Sequence, residues 1–285
     1  MDAQGVAHTG GDHVLPNFLV IGAAKAGTTS IYHYLRAHPQ VFMPETKELN
    51  FFVGEDGWPK GTAWYERHFA GAGDAIAVGE ASPNYTKYPV FPGVPERIAK
   101  LLPDVRLIYL VRHPVDRYRS GYLDEVRRGR QRNPIESTLA SNPGYLAASR
   151  YAMQIEQYLA YFPRDQLLVI TSEDLKRQRA ETMRVVHAFL GVDDVAPATL
   201  SDEFNRTEGQ RMLRPVARRL RRLPGARAVA RLAPGASRRM GTRPLDTTRA
   251  EISPAFDEQL RQLLRDDVRR LRGYLGEDFH GWGLA

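Results

Sequence analysis

The chain has 285 residues, 40 Lys plus Arg against 33 Asp plus Glu, and no cysteine. That length fits one large α/β domain or two small ones, and the missing cysteines exclude disulfides, a thiol nucleophile and thiolate metal sites. The net charge is +7, yet the stretch from Arg211 to Arg243 holds eleven arginines and no acid, leaving the rest mildly acidic, unlike the broad basic face of a nucleic-acid binder.

Residues 1–16 carry glycine, His8 and His13 with little apolar pattern and are expected to form a flexible tail. No basic segment followed by an apolar stretch marks a signal peptide. Apolar runs such as Phe18 to Ala24 fall far short of the roughly 20 residues of a membrane helix. A cytoplasmic protein without a transmembrane segment is expected. Phe18 to Gly22 is a short apolar run ending in glycine, the pattern of a buried parallel strand. After a glycine-containing loop, Thr28 to Ala37 places Ile31 and Leu35 at helical spacing and stops at His38-Pro39. Ala75 to Gly79 and Arg106 to Val111 read as two more strands, and Pro114 opens a helix reaching about Arg128. A helix over Ser149 to Phe162, a strand over Leu167 to Thr171 and helices over Glu173 to Leu190 and Ser253 to Leu275 complete the pattern. Strands alternating with helices predict an α/β fold, a P-loop-like doubly wound parallel sheet flanked by helices, in a single domain over residues 17–285. The arginine-rich segment 211–245 is either a solvated face or a cover over the site.

The first strand runs into Gly22-Ala23-Ala24-Lys25-Ala26-Gly27-Thr28-Thr29-Ser30. Gly22 and Gly27 have the spacing of a nucleoside-triphosphate loop, but Thr28 stands where its lysine belongs and Lys25 lies three residues earlier. Glycines that admit a ligand, inward amides and a helix N-terminus still favour an anion. Magnesium-dependent phosphoryl transfer also wants an acidic residue ending another strand. Leu107 to Val111 ends instead in Arg112-His113-Pro114, and an arginine there repels a divalent ion and attracts a phosphate. The combination points to a nucleotide with an extra phosphate, held by side chains without a metal.

Lys25 to Ser30 after a strand resembles the 5′-phosphosulfate loop of sulfotransferases that use 3′-phosphoadenosine-5′-phosphosulfate. Arg112-His113-Pro114-Val115-Asp116-Arg117-Tyr118-Arg119-Ser120-Gly121-Tyr122 is similar to their 3′-phosphate motif. The likeness extends through Tyr151, Leu168 and Glu173-Asp174-Leu175 to Phe279-His280-Gly281-Trp282, and is nearest to the bacterial, heparan-sulfate-sulfotransferase-like branch. It implies that Lys25, Ala26, Gly27, Thr28, Thr29 and Ser30 hold the 5′-phosphosulfate, that Arg112 and Ser120 bind the 3′-phosphate, and that Lys25 assists the leaving phosphate. It implies further that a glycine-arginine loop closes over the nucleotide. Gly241 and Arg243 match that loop loosely, and Asn205 to Gly209 is the alternative.

The acceptor must lose a proton as it attacks. Glu48, in Lys47-Glu48-Leu49-Asn50-Phe51-Phe52, resembles the base that precedes a Phe-Phe pair in this branch, and two neighbouring rings would strip water from it. Glu45 is a nearby competitor without the rings, and His113, read as structural, is next in line as base. Glu80, in Gly79-Glu80-Ala81-Ser82-Pro83-Asn84-Tyr85, is either an acceptor ligand or a structural ion pair. Ala81 stands where the branch carries a lysine, and Asn50 where some members have histidine, departures that count against a glycosaminoglycan acceptor in particular and leave donor binding untouched. Tyr85, Tyr88, Phe91 and Trp64 are either pocket walls or core. The expected activity is sulfuryl transfer to a hydroxyl or amine of an unidentified small-molecule or glycan acceptor, with carbohydrate, lipid, natural-product and peptide acceptors all left open by the sequence. A magnesium-dependent small-molecule kinase on the same loop and a non-catalytic anion or nucleic-acid binder are the rival readings.

Overall fold

A computed structural model describes residues 14–195, 211–213, 242–244 and 246–284; nearly all of the expected 1–16 tail lies outside the described residues. The elements run β1 (Phe18–Gly22), α1 (Thr28–Arg36), β2 (Val41–Phe42), α2 (Thr62–Glu66), β3 (Ala77–Ala81), α3 (Val94–Leu101), β4 (Arg106–Val111) and α4 (Pro114–Arg127). There follow α5 (Thr138–Ser141), α6 (Gly144–Ala147), α7 (Tyr151–Leu159), β5 (Leu167–Thr171), α8 (Ser172–Arg177), α9 (Arg179–Leu190), β6 (Arg211–Leu213), β7 (Thr242–Pro244) and α10 (Pro254–Leu275). Two units emerge, residues 1–112 with 152–202 and residues 113–151 with 203–285.

The first unit holds a five-stranded sheet in the order β2-β3-β1-β4-β5, parallel throughout. The central strands β1 and β4 are continuous apolar runs because both of their faces are buried. From β1 the chain crosses through α1 to β2 at one edge; from β4 it leaves for β5 at the other. Neighbours β1 and β4 therefore diverge at a topological switch point, the place where open α/β sheets take ligands outside their carboxyl ends. The predicted α/β parallel sheet is the one found.

Two predicted elements shift. The strand expected at 75–79 lies at Ala77–Ala81, because Glu80 and Ala81, polar and small enough to read as loop, are carried inside the protein. The single helix expected over 173–190 breaks at Gln178, at φ −126° and ψ 48°. Its first half is fixed by the end of β5, where the Thr171 hydroxyl accepts from Asp174 N at 3.0 Å as an N-cap.

In the second unit α4 and α10 enclose a core of Val115, Tyr118, Tyr122, Phe256, Leu260 and Leu264. Ser253 caps α10 by accepting from Phe256 N. Strands β6 and β7 pair antiparallel. No described helix is long and apolar enough to cross a membrane.

Candidate active site

The loop after β1 is set by close approach. A Cβ on Gly22 would overlap the Thr86 hydroxyl and lie 3.2 Å from the Tyr109 ring, so only glycine lets the chain leave the sheet here. Ala23 N then donates to Leu110 O at 2.6 Å, tying the loop to β4. Lys25 adopts a left-handed conformation at φ 75° and Gly27 follows at φ 100°, a position that suits a residue without a Cβ. Gly27 begins α1 with no side-chain cap. A helix begun this way presents its amide donors and the positive end of its dipole to an anion. Ala26 and Thr28 are buried, whereas Lys25, Thr29 and Ser30 are partly exposed.

Arg112 follows the last residue of β4, and its Nη1 donates to the Lys25 carbonyl at 3.4 Å. The Arg112 side chain and the Lys25 backbone, from two separate motifs, thus meet at the switch point. His113 stands at the N-cap of α4, its ring edge-on to Trp282 at 6.2 Å between centroids. Ser120 lies half-buried on α4, a helix anchored by Arg117 Nε donating to Ser149 Oγ at 2.6 Å and Arg119 Nε to Ala250 O at 2.9 Å. Arg243 pairs with Met212 across β6 and β7. Gly241, Asn205 to Gly209 and most of the arginine-rich 211–245 segment lie outside the described residues.

Glu48 sits on a strained turn. It and Asn50 both hold positive φ, 64° and 52°, a conformation that costs on the order of 1–3 kcal/mol per non-glycine residue and persists where surrounding contacts over-determine it. Those contacts are present. Glu48 N donates to Ala81 O at 3.1 Å, Asn50 N to Ser82 Oγ at 3.0 Å, Asn50 Nδ2 to Glu48 O at 2.8 Å and Asn84 Nδ2 to Asn50 Oδ1 at 3.0 Å. The Glu48 carboxylate accepts from Lys47 Nζ at 2.9 Å and remains 41% exposed. The expected stripping of water by Phe51 and Phe52 does not occur. Both rings turn inward; Phe51 stacks on Tyr65 at 4.2 Å and Phe52 meets Tyr85 edge-on at 5.6 Å.

Beneath this turn lies Glu80, 1% exposed. Its carboxylate accepts from three hydroxyls, Ser82 at 2.6 Å, Tyr85 at 2.5 Å and Tyr65 at 3.2 Å. Burial pushes its pKa up, opposed by these three hydrogen bonds and by the charge of Lys47; the tyrosine hydroxyls are pushed well above their usual value, chiefly by burial and then by the Glu80 charge. Glu80 is thus neither exposed to an acceptor nor an ion pair but the centre of a buried hydroxyl cluster. Ser82 and the Tyr85 hydroxyl escaped sequence reasoning, although the run of hydroxyl residues directly after a buried strand carried the signal. Tyr85, Tyr88 and Phe91 line a small cavity with Tyr158 and Tyr161, while Trp64 lies against Phe51.

A protein-family model described as "Sulfotransferase domain" matches residues 15–213. The bifunctional heparan sulfate N-deacetylase/N-sulfotransferase 2 of Bos taurus is 30% identical over 221 residues, 68% of this chain and 24% of that protein. The heparan sulfate glucosamine 3-O-sulfotransferase 5 of Homo sapiens is 28% identical over 215 residues, 70% of this chain and 60% of that protein. The chain spans about a quarter of the length of the bifunctional relatives it matches. Among solved structures, a sulfotransferase from Alicyclobacillus acidocaldarius superposes with a TM-score of 0.70 at 27% identity, covering 95% of this chain and 99% of that one.

Proposed function

The chain belongs to the sulfotransferase domain family, and on that premise we propose that it moves a sulfuryl group from 3′-phosphoadenosine-5′-phosphosulfate to a hydroxyl or amine of a carbohydrate acceptor. The observation that carries this reading is the meeting of Lys25 and Arg112 at the carboxyl edge of β1 and β4. A doubly phosphorylated adenosine needs positive charge at both of its ends. The family match argues against the kinase and the non-catalytic binder.

In this reading the loop from Lys25 to Ser30 cradles the 5′-phosphosulfate with its Lys25, Gly27, Thr28 and Thr29 amides and the Thr28 and Thr29 hydroxyls, while the Ala26 and Ser30 amides close the loop on Ala23 O and Gly27 O. Arg112 takes the 3′-phosphate, with Ser120 proposed beside it on its sequence spacing and Gly241 and Arg243 on the family resemblance. Glu48 draws the proton from the acceptor as its oxygen or nitrogen attacks sulfur. The sulfur–oxygen bond to the phosphate breaks, and Lys25 meets the charge that develops on the leaving phosphate. No metal has a role in these steps. Glu48 keeps its carboxylate at the surface, open to an incoming acceptor, with Lys47 Nζ donating to it at 2.9 Å. The acceptor class is drawn from the names of the heparan sulfate relatives. We further propose that residues 17–285 work as one catalytic domain and that the setting is cytoplasmic.

The test is transfer of radiolabelled sulfate from the donor, with a chelator present, to a panel of desulfated and N-desulfated heparan chains, simple glycosides and aryl alcohols. Label on a glycan is the expected result. Label on none of them, together with no binding of 3′-phosphoadenosine 5′-phosphate, would overturn the assignment.

A further inference from the structure

We infer that Glu80 is a positioning residue for Glu48, acting through the Ser82 and Tyr85 hydroxyls, which it orients to grip two backbone amides of the Glu48 turn. A hydroxyl has one proton to give. Ser82 gives its proton to Glu80 at 2.6 Å and accepts from Asn50 N at 3.0 Å. Tyr85 gives its proton to Glu80 at 2.5 Å and accepts from Phe52 N at 3.5 Å. One carboxylate therefore turns the lone pairs of two hydroxyls toward amides that follow Glu48 by two and four residues. Tyr65, a third donor to Glu80, lies flat against Phe51 between them. Glu48 itself hangs from the strand that carries Glu80, through Ala81 O.

The arrangement answers a specific need. A turn with two non-glycine residues at positive φ relaxes unless it is held, and relaxation would swing the Glu48 carboxylate. A carboxylate with no direct contact to the turn can hold it at two points only by fixing the direction of intervening hydroxyls. In the apolar interior these bonds are stronger than at the surface, and an unmet donor there is costly.

This inference rests on Glu48 being the base, but its test reads the turn directly. Amide-resolved hydrogen exchange is measured on the full chain with 3′-phosphoadenosine 5′-phosphate bound, for wild type, Ser82→Ala, Tyr85→Phe and Glu80→Gln. Ser82→Ala should speed exchange at Asn50 at least about tenfold and spare Phe52, Tyr85→Phe the reverse, and Glu80→Gln should affect both. Nucleotide affinity should stay within about twofold. In the transfer assay Glu80→Gln should lower kcat about tenfold with the donor KM unchanged. Unchanged exchange at both amides, or a uniform rise across β3 and β1, would overturn the inference. So would full kcat in Glu80→Gln beside a dead Glu48→Gln. If Glu80→Gln fails to fold, Ser82→Ala and Tyr85→Phe still decide: each must loosen its own amide and lower kcat with the donor KM unchanged, and unchanged kcat in both would overturn the inference. Should Glu48→Gln keep its turnover, the base role fails while the exchange result still decides whether Glu80 holds the turn.

Discussion

The Arg112 guanidinium reaches back to the carbonyl of Lys25 across 3.4 Å, so a residue closing one strand and a loop leaving its neighbour share one edge of the sheet. Both stand where the chain turns in opposite directions from β1 and β4. Each motif is anion-seeking on its own; their adjacency is what fits a ligand charged at two places.

Arg112→Ala should therefore change selectivity more than stability. Hydrogen bonds from a charged donor contribute about 1.5–3 kcal/mol, so affinity for 3′-phosphoadenosine 5′-phosphate should fall about tenfold to a hundredfold. AMP, lacking the 3′-phosphate, should bind the variant and the wild type alike. Titration calorimetry with both nucleotides in metal-free buffer checks this. An equal loss for the two would move the 3′-phosphate site away from Arg112.

Lys25→Ala should damage binding and chemistry together. The side chain leaves a residue held at φ 75° beside the start of α1, where it adds charge to what the amides already supply. Removing one preorganised stabiliser of developing charge typically costs a hundredfold to a thousandfold in kcat, by order of magnitude. Donor affinity should fall less, since amides and Arg112 persist. Steady-state transfer measured against donor concentration separates the two effects. A loss confined to KM would mean that Lys25 binds substrate and transition state equally.

Glu48→Gln removes the proton acceptor and keeps the shape of the turn. Positioned bases contribute on the order of a hundredfold to ten-thousandfold, so turnover should drop by that factor while calorimetric affinity for the nucleotide is retained. Survival of most of the turnover would shift the base elsewhere, with His113 the next residue to replace.

The sheet was legible because its strands carry apolar runs; the central strand Arg106–Val111 and the edge strand Leu167–Thr171 fall where their hydrophobicity puts them. The loop was legible because glycine spacing and a displaced lysine survive without tertiary information. The base turn was not. Its strain is held by Ser82 and Tyr85, more than thirty residues away in sequence, and Glu80 could be read as an acceptor ligand or an ion pair because a buried carboxylate is recognised only once its three hydroxyl donors are in place. The break at Gln178 was invisible for a different reason: Lys176-Arg177-Gln178-Arg179 contains no glycine or proline to announce it.

Acid should weaken the fold through a residue remote from these motifs. His187 is 1% exposed and its ring lies 4.7 Å from that of His38. Burial first, and the neighbouring His38 second, hold its pKa below the ordinary value, with Asp194 at 3.6 Å opposing the shift. A histidine depressed in the folded state binds its proton more readily when unfolded, so the unfolded form takes up protons first as pH falls. Its contribution is complete above the unfolded value of about 6.5 and is lost as pH drops from there toward the folded value. The slope is at most about 1.4 kcal/mol per pH unit for one proton. Asp194, depressed mainly by its hydrogen bond with Arg184, acts only at lower pH, as carboxylates take up protons. Denaturant midpoints measured between pH 7.5 and 5.5 should therefore fall for the wild type and change less for His187→Phe, which keeps a ring against His38 but cannot titrate. Parallel curves for the two proteins would place the acid-sensitive group elsewhere.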